Sequence, residues 1–221
     1  MFKRLALLCC ILLLPTIAAA EGTTNYGDFW LGGQAIGVFT ADRNVSVEGF
    51  GFNFTSHNFI HTPPAVGAGA IVGYNFCMPY RPSWQRYFGV ALDFQWNQFN
   101  QSIEDIHVNG NQFALGFLAR AQYPLNGDET FTRGRFVPFI MAGPAVVWTS
   151  SDFKDFGGTK TSTNIGVVAE IGFEYFVVPQ LSIGPSFRYR HVFGPNFSEQ
   201  FVDADMALNQ FMVLGRLAYH F

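Results

Sequence analysis

The chain has 221 residues and a formal net charge of −3, enough for one domain and too acidic to favour nucleic acid as a partner. Charged residues make up 13% of it, about half the usual share, whereas Phe occurs 26 times and Gly 23 times. This composition argues against an ordinary water-soluble globule and suits a protein whose outside touches lipid.

The first twenty residues, MFKRLALLCC ILLLPTIAAA, place Lys3 and Arg4 ahead of an apolar run from Leu5 to Leu14, with Ala18, Ala19 and Ala20 before Glu21. That is the layout of a secretory signal peptide, and cleavage is expected after Ala20. The run is too short to span a membrane as a helix, and no later stretch reaches the ~18 apolar residues that a helix would need. Lipid attachment at Cys9 or Cys10 fits less well, because most of the apolar run still follows either residue. Losing Lys3 and Arg4 removes two positive charges and takes the net charge from −3 to −5. Cys77 is then the one cysteine left in residues 21–221, so no intrachain disulfide can form. It is read as a bystander thiol.

Alternation with a period of two runs through the rest of the chain, and that is the period of strands. The first strand, 28–40, is apolar on both faces, although Gln34 argues that Trp30 points inward. In 65–76 the larger face holds Val66, Ala68, Ala70, Val72, Tyr74 and Phe76, opposite Gly67, Gly69, Ile71, Gly73 and Asn75. From Phe88, the residues Phe88, Val90, Leu92, Phe94 and Trp96 oppose Gly89, Ala91, Asp93, Gln95 and Asn97. Next, Phe113, Leu115, Phe117, Ala119, Ala121 and Tyr123 oppose Ala114, Gly116, Leu118, Arg120 and Gln122. The fifth strand, 135–148, contains Pro138 and Pro144, and the seventh contains Pro185. Each proline removes a ladder donor, so bulges are expected there. In 165–177, Ile165 to Val177 at odd positions oppose Glu170 and Glu174. In 181–193, Leu181, Ile183, Phe187 and Tyr189 oppose Arg188 and Arg190. The last strand, 207–221, sets Phe211, Val213, Gly215, Leu217, Tyr219 and Phe221 against Gln210, Arg216 and His220.

Eight such strands predict an all-β fold, an eight-stranded antiparallel up-and-down transmembrane β-barrel occupying residues 21–221. The large apolar face meets lipid, and the small, polar face lines a lumen that side chains fill. Long links at about 41–64, 98–111, 149–164 and 194–206 are expected outside the cell, and shorter links near 77–86, 124–134 and 178–180 in the periplasm. This orientation predicts two aromatic girdles. Tyr74, Phe76, Phe88, Tyr123, Tyr175, Tyr219 and Phe221 fall near the periplasmic rim, and Phe39, Trp96, Phe113, Trp148 and Phe211 near the outer rim.

Interior parity collects Asp93, Arg120, Glu170, Glu174, Arg188, Arg190 and Arg216. Four positive and three negative groups in one narrow space need partners. The reading is a salt-bridged plug, with Glu170 opposite the Arg188–Arg190 region and Asp93 near the level of Arg120.

The terminal Phe221, with apolar residues at alternate positions behind it, resembles the C-terminal signature of bacterial outer-membrane barrels. In those families the insertion machinery reads it, which makes that machinery an expected partner through Phe211, Val213, Gly215, Leu217, Tyr219 and Phe221. The whole chain after residue 20 is similar to the small eight-stranded OmpA-type and opacity-type, porin-like barrels. FWLGGQAIGVF resembles their opening strand, VPFIMAGPAVV their fifth and LSIGPSFRYRHVF their seventh. The group holds adhesins, passive anchors and enzymes, so the fold does not dictate the activity.

Three functional readings follow. The first is a non-enzymatic structural or surface-contact barrel, acting in adhesion or envelope integrity. Its partners would be outer-membrane lipid, lipopolysaccharide and an extracellular ligand at the outer loops, where Asn53, Phe54, His57, Asn58, Phe59 and His61 crowd together, although these residues suit a strand extension beyond the membrane equally well. The second is a lipid A deacylase-like hydrolase. Val137 to Phe197 looks somewhat like those barrels, and His191 falls where their His-x-Ser motif lies. Position 193 is Phe rather than Ser, however, so the nucleophile is missing. The third is a narrow gated pore. No CxxC pair, HExxH motif or Gly-rich phosphate loop occurs, and no metal or cofactor is expected.

Overall fold

A computed structural model describes residues 28–40, 45–49, 52–56, 60–61, 64–76, 87–103, 106–128, 130–131, 134–153, 158–193, 196–199, 202–205 and 208–221. Eight strands close into a ring. They are β1 (Asp28–Thr40), β5 (Ala65–Asn75), β6 (Phe88–Ile103), β7 (Ile106–Gln122), β8 (Phe136–Phe153), β9 (Gly158–Val178), β10 (Leu181–Val192) and β13 (Leu208–His220). Each pairs antiparallel with its sequence neighbour in that ring, and β1 closes it against β13 from Trp30↔His220 to Thr40↔Gln210. Closure leaves the barrel wall without a free edge, which a sheet in hydrocarbon requires.

The alternation read from the sequence decides which side of the wall each residue takes. Trp30, Gln34, Ile71, Asp93, Arg120, Glu170, Arg188 and His220 are buried in the lumen. Leu31, Phe94, Phe117, Ile171, Phe187 and Val213 are exposed on the outside. The predicted girdle residues share register rows. Phe39 stands opposite Phe211, and Trp96, Phe113 and Trp148 align across β6, β7 and β8. At the other rim Tyr87 stacks on Tyr123, and Tyr219 meets Phe221 edge-on. Trp30 is buried in the lumen at 0% exposure. Its ring occupies the space above Gly73, where a Cβ would come within 2.3 Å of it.

The prolines are accommodated differently from the expected bulges. At Pro144 the β7–β8 pairing lapses between Gly116↔Ala145 and Ala119↔Ala142, then resumes in the same register. At Pro185 the β9–β10 pairing lapses between Ile183↔Tyr175 and Ser186↔Gly172, again without slipping. Each proline follows a glycine, and the facing strand comes too close for a side chain. A Cβ on Gly143 would lie 1.9 Å from the Phe117 carbonyl oxygen, and one on Gly184 would lie 1.8 Å from that of Phe173. Pro138 stays within the ladder, where its carbonyl accepts from the Tyr123 N–H at 2.9 Å.

Two of the expected outer loops are strands instead. Pairing of β6 with β7 continues to Ile103↔Ile106, and pairing of β8 with β9 continues to Phe153↔Gly158. Gln98, Asn100, Asn109 and Ser150 look loop-like because their stretches of sequence are polar at both parities. Alternation disappears there, although extended backbone persists.

The remaining outer links also contain strands. β2 (Val45–Gly49), β3 (Phe52–Ser56), β11 (Asn196–Glu199) and β12 (Val202–Asp205) form a separate four-stranded antiparallel sheet in the order β11-β12-β2-β3. Its register aligns Phe197, Ala204, Val47 and Phe54 in one row across all four strands. The two-residue β4 (Ile60–His61) pairs with the top of β6. Of the residues expected to crowd the first loop, Asn53 and Phe54 lie in β3 and His61 in β4, while His57, Asn58 and Phe59 lie outside the described residues. Cys77 and residues 1–27 also lie outside them.

Candidate functional site

Six strands deliver one hydrogen-bonded network to the lumen. At its periplasmic end Arg120 on β7 donates to the Gln122 amide oxygen at 2.9 Å and grips Glu174 on β9 with both terminal nitrogens, at 2.9 and 2.7 Å. The facing fork and carboxylate make this the strong bidentate form of the contact. Arg216 on β13 stands 3.6 Å from Glu174 and donates to Glu170 at 2.7 Å. Arg188 on β10 donates to Glu170 through Nε at 2.8 Å and through Nη2, and to Asp93 on β6 at 2.6 Å. Gln34 on β1 donates to the other Asp93 oxygen at 3.1 Å. The rings of Trp30 and Phe139 flank Arg120 and Arg216, with guanidinium carbons 4.6 to 5.7 Å from the ring centres.

All seven charged residues marked in the sequence therefore face the lumen, but their partners are not those that adjacency suggests. Asp93 does not stand at the level of Arg120. Its register partner on β7 is Gly116, which leaves Arg120 four residues nearer the periplasm. Asp93 instead reaches across the lumen to Arg188. The pairing of Glu170 with Arg188 does follow strand register, because the two are directly opposite on β9 and β10.

Arg190 differs from the other three cations. It is fully buried, and among the described residues it meets amide oxygens alone. Nε donates to Gln210 at 2.9 Å, Nη1 to Gln95 at 3.4 Å, and Nη2 to Asn97 at 3.1 Å and to Gln112. Gln112 in turn donates to Thr149 at 3.3 Å. Excluding His220, four cations against three carboxylates leave one positive charge in excess, and it sits in this amide collar at the outer end of the lumen.

Two imidazoles complete the inventory. His220 lies at the periplasmic end, 2.9 Å from the Ser182 hydroxyl, with its ring between Phe176 and Trp30. This pair was missed in the sequence, although the even parity of both residues near one rim was a usable signal. A cavity of about 180 Å³ lies beneath it, lined by residues including Thr130, Phe131, Phe176 and His220. Ser182 is 1% exposed and is not among the residues lining that cavity.

His191 faces outward near the outer rim. Its Nδ1 lies 2.7 Å from the Asn209 side-chain oxygen, and the Phe193 ring meets it edge-on. Among the described residues no hydroxyl or thiol is hydrogen-bonded to it.

A closed, lipid-facing wall around an ionic, side-chain-filled lumen is the construction of outer-membrane barrels. The family described as outer membrane protein beta-barrel domain matches residues 6–221. The chain belongs to this family. Membership places it in the bacterial outer membrane. The outer membrane protein OprG from Pseudomonas aeruginosa has the same fold, at 17% identity and a TM-score of 0.60 over 89% of this chain and 97% of that one. Neisserial surface protein A also shares it, at 13% identity and a TM-score of 0.56 over 87% of this chain and 97% of that one. A search of curated proteins found no match.

Proposed function

We propose that this barrel is a sealed, non-enzymatic anchor that supports the envelope and presents its extracellular strands for surface contact. The salt-bridged lumen carries this reading. Three guanidinium groups locked to three carboxylates occupy the channel, so the passage is filled and the outer strands are the part left to act. Those strands include the two protruding hairpins and the separate four-stranded sheet. The sheet contains Glu48, Glu199, Asp203 and Asp205 with no Lys or Arg, an acidic platform on the cell surface. The signal-peptide layout of residues 1–20 supports export, with cleavage after Ala20. The row from Phe211 to Phe221 supports recognition by the assembly machinery.

Planar-bilayer recording tests the seal, and the expected trace lacks stable single-channel steps. Replacing 45–56 and 196–205 with short Gly-Ser turns tests the contact role. Membrane insertion is expected to survive while surface adhesion is lost. Large stable steps, or adhesion unchanged by the replacement, would overturn the reading.

One observation favours a second reading, a lipid hydrolase. Asn209 orients the His191 ring as a triad's third member orients its base. Lipid A acylation compared between wild type and His191→Ala distinguishes the two, because a product lost on mutation would favour the hydrolase.

A further inference from the structure

We propose that Tyr189, His191 and Asn209 form a binding site for the sugar headgroup of an outer-leaflet glycolipid. The inference rests on the outer-membrane placement and not on the surface-contact reading. The three side chains come from adjacent strands and converge on one atom. The Tyr189 hydroxyl donates to the Asn209 Oδ1 at 2.9 Å, and the His191 Nδ1 lies 2.7 Å from the same oxygen. An amide oxygen cannot donate, so Nδ1 carries the proton. Whenever the ring is neutral, Nε2 is then its acceptor. The Asn209 amide group adds two N–H donors. Among the described residues neither Nε2 nor that amide group is hydrogen-bonded, and all three residues are part-exposed. The cluster therefore offers an oriented acceptor beside a donor pair, with the edge of Phe193 against the imidazole.

Its level selects a lipid-borne ligand. Tyr189, Phe211 and Phe39 share one register row within the outer aromatic girdle, and His191↔Asn209 is the next outward-facing row toward the cell exterior. That is headgroup depth, where aromatic belts sit. Its charge selects a neutral ligand. From Thr161 onward, the described outward-facing residues of β9, β10 and β13 include no charged side chain. A phosphate would find no guanidinium or ammonium there, whereas a sugar ring finds hydrogen-bonding groups of both kinds beside aromatic rings.

The test uses the full-length chain after export, refolded in detergent micelles with isotope-labelled histidine, with the His191 signal assigned through His191→Phe. The probes are rough lipopolysaccharide, the same lipid dephosphorylated, phosphatidylglycerol, and the oligosaccharide cleaved from its lipid. The His191 Nε2 resonance is expected to shift with both glycolipids, and far less with phosphatidylglycerol or the free oligosaccharide. Glycolipid retained through purification, counted by native mass spectrometry, is expected to fall about fivefold in Asn209→Leu, as for one lost hydrogen bond. Tyr189→Phe, which keeps the ring packing, is expected to give a smaller fall in the same direction. Retention unchanged in both variants would overturn the proposal. So would a shift as large with phosphatidylglycerol or the free oligosaccharide, or one abolished by dephosphorylation.

Discussion

The middle of the lumen and its outer end solve one problem in two ways. In the middle, Arg120, Arg188 and Arg216 are matched in number by Asp93, Glu170 and Glu174 and joined through short charge-assisted bonds. At the outer end Arg190 donates its hydrogen bonds to amide oxygens, which meet its N–H groups without opposite charge. Satisfying donors and neutralising charge are separate requirements: the middle layer balances charge but leaves Arg216 Nε and Nη1 without a hydrogen-bond partner among the described residues, whereas the outer collar satisfies every Arg190 nitrogen without balancing its charge. The two layers should therefore fail differently when a partner is removed.

The largest effect is expected at Glu170, the carboxylate shared by two guanidinium groups. Glu170→Ala leaves Arg188 with Asp93 alone and Arg216 with only its 3.6 Å contact to Glu174, and should cost about 3–5 kcal/mol. Urea unfolding in detergent micelles, followed by the gel shift between folded and unfolded barrel, measures it. A loss below 1 kcal/mol would erase the distinction between the layers. Asp93→Asn should cost less, about 1.5–3 kcal/mol, because Arg188 keeps Glu170 while losing a charged acceptor. A double-mutant cycle with Arg188→Met isolates the coupling between them. Arg190→Gln should cost about 1 kcal/mol, since it removes an unmatched buried charge along with its hydrogen bonds. An equal cost for Arg190→Gln and Glu170→Ala would show that bond count rather than charge balance governs the lumen.

How much of this was readable in advance depended on what period two encodes. Parity alone sends Asp93, Arg120 and Glu170 inward and Phe94, Phe117 and Ile171 outward, because a strand allows a side chain only two directions. Parity does not encode height around a closed ring. Arg120 finds Glu174 and Asp93 finds Arg188 through the stagger of non-neighbouring strands and the reach of a long side chain. Those partners were accordingly misplaced or missed. The pattern also loses its meaning once both faces of a strand are wet. That is why Gln98–Ile103 looked like loop and the pairing of β2, β3, β11 and β12 into one sheet was not read, although a strand extension was an equal reading of the first outer link. Asn209 was hidden for a different reason, because its role depends on two side chains one strand away.

The two Gly-Pro steps have a mechanical consequence. One breaks the ladder between β7 and β8, and the other breaks it between β9 and β10. Between them lies a hairpin of two uninterrupted long strands, with pairs running from Phe136↔Tyr175 to Phe153↔Gly158. The wall thus loses ladder hydrogen bonds at two places, one on each side of its longest hairpin, while the backbones there stay in close contact. If the cylinder yields under tension, Pro144 and Pro185 mark where the fewest bonds have to break.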